Sequence, residues 1–342
     1  MRRRGLLMMT AAAMVALLVA ACADDGDSTA LAPTATAESE AARGPVRPVE
    51  RKVEIAVVTH GQAADPFWAI VKKGIDQAAR EMGATVLYRA PDVYEPRRMR
   101  ELIDTAVANR PDGLVVSIPD PDVLAPALKR AVEAGIPIVA INSGEKAYRR
   151  LGALLYVGEP EYTAAFAAGR RMAAAGVRNG LCVHHQARIA ALDERCRGFA
   201  AALAKAGGKT RVVTVELQEQ EDAERRIAHE VSTGDVDGVL TLGPAGAAPA
   251  LAALRKTQRL GKIAFATFDL GPEVLRAVRA GHIAFAIDQQ PFLQGYLPIV
   301  LLTQYELYGV LPATGSIVPT GPRFVTRRNA QRVIRLSEAG IR

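Results

Sequence analysis

The chain has 342 residues, 49% of them hydrophobic, with 43 Lys and Arg against 36 Asp and Glu for a net charge of +7. Arg2, Arg3 and Arg4 supply part of that excess, which falls to about +4 without them. So mild and dispersed a charge argues against a nucleic-acid partner, and the roughly 290 residues beyond position 52 suffice for two domains of ordinary size.

The basic start and the apolar run Leu6 to Ala21 read as a secretory signal over 1–21. The run is shorter than the ~20 residues of a spanning helix. Its end, Val19-Ala20-Ala21-Cys22, resembles the lipobox of bacterial lipoproteins. The resemblance implies cleavage before Cys22 and acylation of its thiol. Two or three acyl chains make a stable membrane anchor, where one alone is marginal. An ordinary signal with a chance cysteine is the alternative. Residues 22–52 are Ala, Thr, Ser, Pro, Asp and Glu with almost no large apolar side chain, as in a flexible tether. The body of the protein is therefore expected outside the cytoplasm.

From residue 53 onward, short apolar runs alternate with amphipathic ones. Runs at 53–58, 84–89, 113–118 and 136–141 are followed by a second set at 153–157, 179–184, 210–217, 237–242, 262–268 and 282–287. Mostly continuous in their apolar character, they predict parallel strands covered on both faces. Between them, Phe67, Ile70, Val71, Ile75, Ala78 and Met82 form one helical stripe, with Gly83 as a stop, and Met99, Leu102, Ile103 and Val107 form another. The alternation predicts an α/β fold. Cys182, in a strand-like run, and Cys196, in the helix-like run after it, invite a disulfide in an exported chain; two buried free thiols are the alternative. His184 and His185 would point apart on a strand and do not make a metal site.

A weak internal echo relates 111–143 to 236–269. Each part has Asp-Gly, an apolar strand, a helix with Ala-Pro-Ala-Leu and a second strand, one ending at Asn142 and the other at Asp269. Two α/β domains of similar plan explain this. Ligands of open parallel sheets bind beyond the carboxyl ends of the strands. Asn142, Asp269 and the loop Asp65-Pro66-Phe67-Trp68 all occupy such ends, and two facing domains would bring them into one cleft. Phe67 and Trp68 either pack under the sheet or offer a face to the C–H surface of a sugar ring.

The motifs "DPFW", "AGIPIVAINS", "ERCRGF", "DGVLTLG", "FATFD" and "AIDQQ" occur in this order over 53–342. Together they resemble the sugar-binding proteins of ABC importers, of the ribose-binding type. The resemblance implies a type I periplasmic binding protein fold: two doubly wound parallel-sheet domains joined by a three-segment hinge. Domain boundaries of 53–155 plus 290–313, and 156–289 plus 314–342, are expected. Asp65 then stands at a residue that bonds a sugar hydroxyl, and Phe67 and Trp68 at ring-stacking aromatics. Asn142 and Asp269 match hydroxyl-binding groups of the two domains, and Gln289 matches a polar residue at a hinge crossover. Ser143 and Asp193 fall where ribose receptors carry arginines, and Gly243 where they often carry Asn. Fewer cationic donors suit a neutral, hydroxyl-rich ligand. His60, closer to its strand, is a further candidate. Plainer roles stand beside these: a turn at Asn142, a helix cap at Asp269, a dipole partner at Asp193.

The resemblance implies a monomer without cofactor that captures a neutral sugar or polyol and delivers it to an ABC permease. A sensor subunit that presents its ligand to a membrane receptor would use the same site. An exported carbohydrate-active enzyme is the third reading, but the chain has no G-x-S-x-G, H-E-x-x-H, P-loop or G-x-G-x-x-G motif. A LacI-type repressor would need a DNA-binding segment where the signal and tether lie. Mass spectrometry of membrane-extracted protein is expected to find a mature chain that begins at an acylated Cys22; an unmodified, fully soluble chain would refute the anchor.

Overall fold

The computed structural model describes residues 51–61, 66–92, 94–185, 189–216 and 219–342. The signal, Cys22, nearly all of the tether and Asp65 lie outside them. In chain order the first elements are β1 (Glu54–Val58), α1 (Pro66–Met82), β2 (Thr85–Arg89), α2 (Pro96–Ala108), β3 (Gly113–Ser117), α3 (Pro121–Glu133), β4 (Ile138–Ile141) and β5 (Leu155–Gly158). Next come α4 (Glu161–Ala174), β6 (Asn179–His184), α5 (Ala190–Lys205), β7 (Lys209–Thr214), α6 (Gln220–Thr233), β8 (Gly238–Thr241), α7 (Pro244–Lys256), β9 (Ala264–Phe268), α8 (Pro272–Ala280) and β10 (Phe285–Asp288). The chain ends with α9 (Pro291–Tyr308), β11 (Ser316–Pro319), β12 (Arg323–Thr326) and α10 (Ala330–Glu338).

The strands form two six-stranded sheets, β11-β5-β4-β3-β1-β2 and β12-β10-β9-β8-β6-β7. Every pairing is parallel except that of β12 with β10. β3, β4, β8 and β10 are buried at every residue, whereas the edge strand β2 is half-buried to exposed and β7 is largely exposed. Their apolar runs are continuous because helices cover both faces. In β3, Leu114 and Val116 pack on one side with Met99, Ile103 and Leu128, while Val115 packs on the other with Val71, Ile75 and Ile299.

The echo in the sequence is an echo in space. β3-α3-β4 and β8-α7-β9 are equivalent units, each with a proline six residues into its helix, Pro126 and Pro249. Both units end in a left-handed residue, Asn142 at φ 60° and Asp269 at φ 61°. Non-glycine residues tolerate this region poorly, and Asn and Asp tolerate it best. The residue type is thus suited to the backbone turn as well as to any ligand.

The chain crosses between the sheets at Glu159-Pro160, Gln289-Gln290 and Thr320-Gly321-Pro322. The domain boundaries at two of these crossings differ from expectation. β5 continues the first sheet to Gly158, so the chain leaves that sheet at 159 rather than 155. β11 also pairs in the first sheet, with Ser316 opposite Leu155, so the final return comes at 320, at the end of the stretch 314–322, and the domain boundary lies there rather than at 313. A four-residue strand that alternates half-buried and exposed positions leaves no continuous apolar run to read. α9 returns to the first sheet and lies against α1. A Cβ on Gly74 would stand 2.1 Å from the Phe292 carbonyl oxygen, and one on Gly295 would stand 2.0 Å from that of Val71. Only glycine at both positions lets the two backbones touch.

Cys182 of β6 and Cys196 of α5 form a disulfide with Cα atoms 5.8 Å apart, inside the second core. With Cys22 removed, unreduced denatured protein is expected to titrate without a free thiol. Cys196→Ala should cost about 3 kcal/mol for a loop of this size, read as a lowered urea midpoint.

Candidate functional site

The carboxyl ends of both sheets face a cleft of about 530 Å³, within the ordinary range for a small-molecule site. In each sheet the strand order reverses beside the first strand of its repeat, β1 or β6, where a crevice opens. His60 follows β1 and His185 follows β6, so the two histidines occupy equivalent places, as Asn142 and Asp269 do. All four line the cleft.

The first lobe supplies an aromatic wall. Trp68, in the first turn of α1, is 5% exposed and packs with Val71 and Ile75. It also meets His60 edge-on at 4.9 Å and Phe67 at 5.3 Å between ring centroids. The core reading holds for Trp68, which also borders the cleft, and Phe67 is the more exposed of the two. His60 is held by Ser117, whose Oγ accepts the His60 backbone N–H at 2.9 Å and lies 2.9 Å from Nδ1. Burial lowers the pKa of His60 to about 4. Burial, then Arg195 and His184, lowers that of His185 to about 4 as well. Both rings are neutral across the physiological range.

The second lobe supplies charge. Arg195 of α5 is 4% exposed. Its Nε and Nη2 donate to the two carboxylate oxygens of Glu161, the latter at 3.1 Å, and Nη1 donates to the Leu242 carbonyl at 2.8 Å. Nη1 also lies 3.7 Å from Asp269 Oδ2, and the guanidinium stacks 4.1 Å over the Phe268 ring. Burial opposes its charge, but Glu161 and Asp269 outweigh burial and keep it protonated. Burial raises the pKa of Glu161 to about 7 against the pull of the same arginine.

Gln289 joins the lobes at the floor of the cleft. Its Nε2 donates to Asp269 Oδ1 at 2.6 Å, and its Oε1 accepts from Asn142 Nδ2 at 3.2 Å and Gln294 Nε2 at 2.8 Å. Gln294 Nε2 also reaches Thr320 Oγ1 at 3.2 Å, which ties the third crossing into the same network.

His60, Phe67, Trp68, Asn142, Ser143, Gly243, Asp269 and Gln289 thus border one cavity. Asp193 does not. Its side chain is 60% exposed, and Oδ1 lies 3.1 Å from Nε2 of His184, on the far side of the strand from His185. The reason is helical phase. Leu192, Arg195, Cys196 and Phe199, spaced as one face of a helix, turn inward, and position 193 falls outside that stripe. The expectation of few cationic donors is corrected with it, because Arg195 lies in the cleft wall. Three residues escaped the sequence reading: Arg195, Glu161 and His185. An arginine inside an apolar helical stripe signals the first, and the repeat that matches β6 to β1 signals the last.

Beneath the cleft, Glu159 is fully buried, and neither carboxylate oxygen has a hydrogen-bond partner. A Cβ on Gly321 would stand 2.2 Å from Glu159 Oε2; the first and third crossings are packed against each other there. Burial, with Glu161 adding to it, pushes the Glu159 carboxyl well above the usual carboxylate range. The folded protein keeps this proton, while the unfolded chain loses it near pH ~4.3. Stability from this group is therefore fully present below that pH and declines as pH rises toward the folded value. Glu159→Gln is expected to raise the melting temperature at pH 7–8, with the gain shrinking to nothing near pH 4–5. An equal gain at every pH would refute the buried acid.

A family model described as a periplasmic binding protein domain matches residues 55–307. A carbohydrate transporter from Acidothermus cellulolyticus, crystallised with myo-inositol, is 34% identical over 85% of this chain and all of its own, with a TM-score of 0.77. The periplasmic ribose ABC transporter of Conexibacter woesei has the same fold, with a TM-score of 0.74 at 21% identity over 84% of this chain and 97% of its own. The xylose/arabinose-binding protein XylF of Sulfolobus acidocaldarius is 24% identical over 81% of this chain and 72% of its own.

Proposed function

Because the chain belongs to the periplasmic binding protein family, we propose that it captures a neutral sugar or polyol in the cleft and hands it to the permease of an ABC importer. It would work outside the cytoplasm, anchored through Cys22, as a binding protein without chemistry of its own. The carrying observation is the line Asn142–Gln289–Asp269, which runs from the end of β4 to the end of β9 through the hinge. Hydroxyls on a ring would meet an amide from one lobe and a carboxylate from the other, so full binding needs both lobes closed around it. Such a ligand favours closure by contacts that the open form lacks. The aromatic wall of His60, Phe67 and Trp68 suits the C–H face of the same ring. Arg195 and Asp269 add a donor and an acceptor of opposite charge, which suits a ligand of no net charge. The myo-inositol bound by the 34%-identical transporter and the pentoses named for XylF are polyhydroxylated molecules of the expected kind.

Trp68 is the sole tryptophan of the chain, so its fluorescence reports the cleft directly. Titration with myo-inositol, xylose, arabinose, glucose and galactose is expected to give a saturable change with at least one of them. Asp269→Ala should weaken that ligand by about 1.5–3 kcal/mol through loss of a charged acceptor. Trp68→Ala is a poor probe, since emptying a buried indole site costs the fold about 3–5 kcal/mol. Phe67→Ala is the cleaner one, expected to weaken binding with little change in melting temperature. Normal affinity in both Asp269→Ala and Phe67→Ala would refute the site.

A further inference from the structure

A second, smaller recess of about 70 Å³ adjoins the cleft. It opens between the lobes, with Ile118, Pro121 and Ser143 on one side and Ile189, Ala190 and Glu194 on the other. Asn142, Ser143 and Glu161 border both spaces, so a molecule in the cleft has the recess beside it. A cavity holds a water from about 10–15 Å³ upward, so the recess has room for a small polar group.

Two polar atoms of this recess are unexplained by the fold. Ser143 is 5% exposed, and its Oγ is buried without a hydrogen-bond partner. The Glu194 side chain is 12% exposed. Lys146 Nζ meets its Oε1 at 2.6 Å across the lobes, and Arg197 reaches the same oxygen. Its Oε2 is buried and unpartnered. Such groups cost stability unless something satisfies them. They come from opposite lobes, and they differ in kind: a carboxylate oxygen only accepts, while a serine hydroxyl can also donate. A single hydroxyl satisfies both at once, giving its hydrogen to Glu194 and taking one from Ser143. An ammonium group would satisfy the carboxylate alone. Ile118, Pro119, Pro121, Ile189 and Ala190 give the recess an apolar side, which suits the carbon that carries that hydroxyl, while Asn142, Glu145, Lys146, Tyr156 and Glu161 border it as well.

We propose that this recess binds a hydroxymethyl arm on the ring held in the cleft, with Ser143 and Glu194 as the residues that select for it. The inference rests on the cleft being a site for sugars or polyols. It adds that rings with a hydroxymethyl arm are preferred over the same rings without one.

Two matched triplets of sugars test this by calorimetry: D-glucose, 6-deoxy-D-glucose and D-xylose; D-galactose, D-fucose and L-arabinose. Within each triplet the ring hydroxyls are constant, and the arm is complete, stripped of its hydroxyl, or absent. In the triplet that the cleft accepts, the complete arm is expected to bind about tenfold or more tighter than either relative, the worth of one charge-assisted hydrogen bond. The preference, taken as a ratio of affinities within each protein, should collapse toward unity in Glu194→Ala and shrink in Ser143→Ala. Equal binding across a triplet, or a preference that survives in both Glu194→Ala and Ser143→Ala, overturns the inference while the sugar site stands. Binding of myo-inositol with no binding of either triplet does the same. Binding of none of these compounds overturns the sugar site and the inference together.

Discussion

The amide of Gln289 sits where the two halves of the molecule have to agree. A doubly wound sheet leaves the polar ends of its strands facing out, and two such sheets turned toward each other must satisfy those ends mutually or with a ligand. Gln289 lies on the second crossing and gives each half what it needs: an oxygen for Asn142 and an N–H for Asp269. Both neighbours are in the left-handed region, so their side chains are aimed by the backbone as well as by the bond. Everything else at the cleft is arranged around this line. The aromatic wall stands on the side of the first lobe, and Arg195 with Glu161 stands on the side of the second.

Charge in the cleft is unevenly shared. Arg195 faces Glu161, Asp269 and, deeper, Glu159. One guanidinium cannot balance two buried carboxylates and a half-buried third at moderate cost. The arrangement resolves this by geometry. Glu161 takes two donors of the fork, Asp269 is bonded to the Gln289 amide, and Glu159, with no donor among the described residues, favours its protonated form. Both cleft histidines stay neutral. The two histidines thus add no charge to the cleft, and Glu161, raised to about 7, is the group there that changes protonation near neutral pH.

Much of this was legible in the sequence because it is repetitive or periodic. Continuous apolar runs separated by helical stripes marked the strands, and the Ala-Pro-Ala-Leu echo placed Asn142 and Asp269 at equivalent ends before any geometry was known. The disulfide followed from a strand and its next helix. What escaped has different physical origins. Arg195 was displaced two positions to Asp193, because a short motif does not carry helical phase while burial does. β11 is too short and too exposed at alternate positions to stand out, so the domain boundary at the third crossing was placed several residues early. Glu159 had no local pattern at all: its environment is made by segments far apart in the chain, and only the folded chain brings Gly321 against it.

The close approach of α1 to α9 bears on how the protein is made. Val71 and Gly295 touch backbone to backbone although most of the second lobe separates them along the chain. During synthesis or export from the N-terminus, residues 53–158 emerge without the helix that covers one face of their sheet and without the strand that closes its edge. Residues 161–288, by contrast, contain nearly all of the second sheet in one stretch. The second lobe can thus fold as its residues appear, while the first keeps an uncovered apolar face until the last fifth of the chain arrives. Such long-range closure is slow and prone to aggregation. The first sheet, with five of its six strands in place, thus waits for α9 and β11 at the end of the chain.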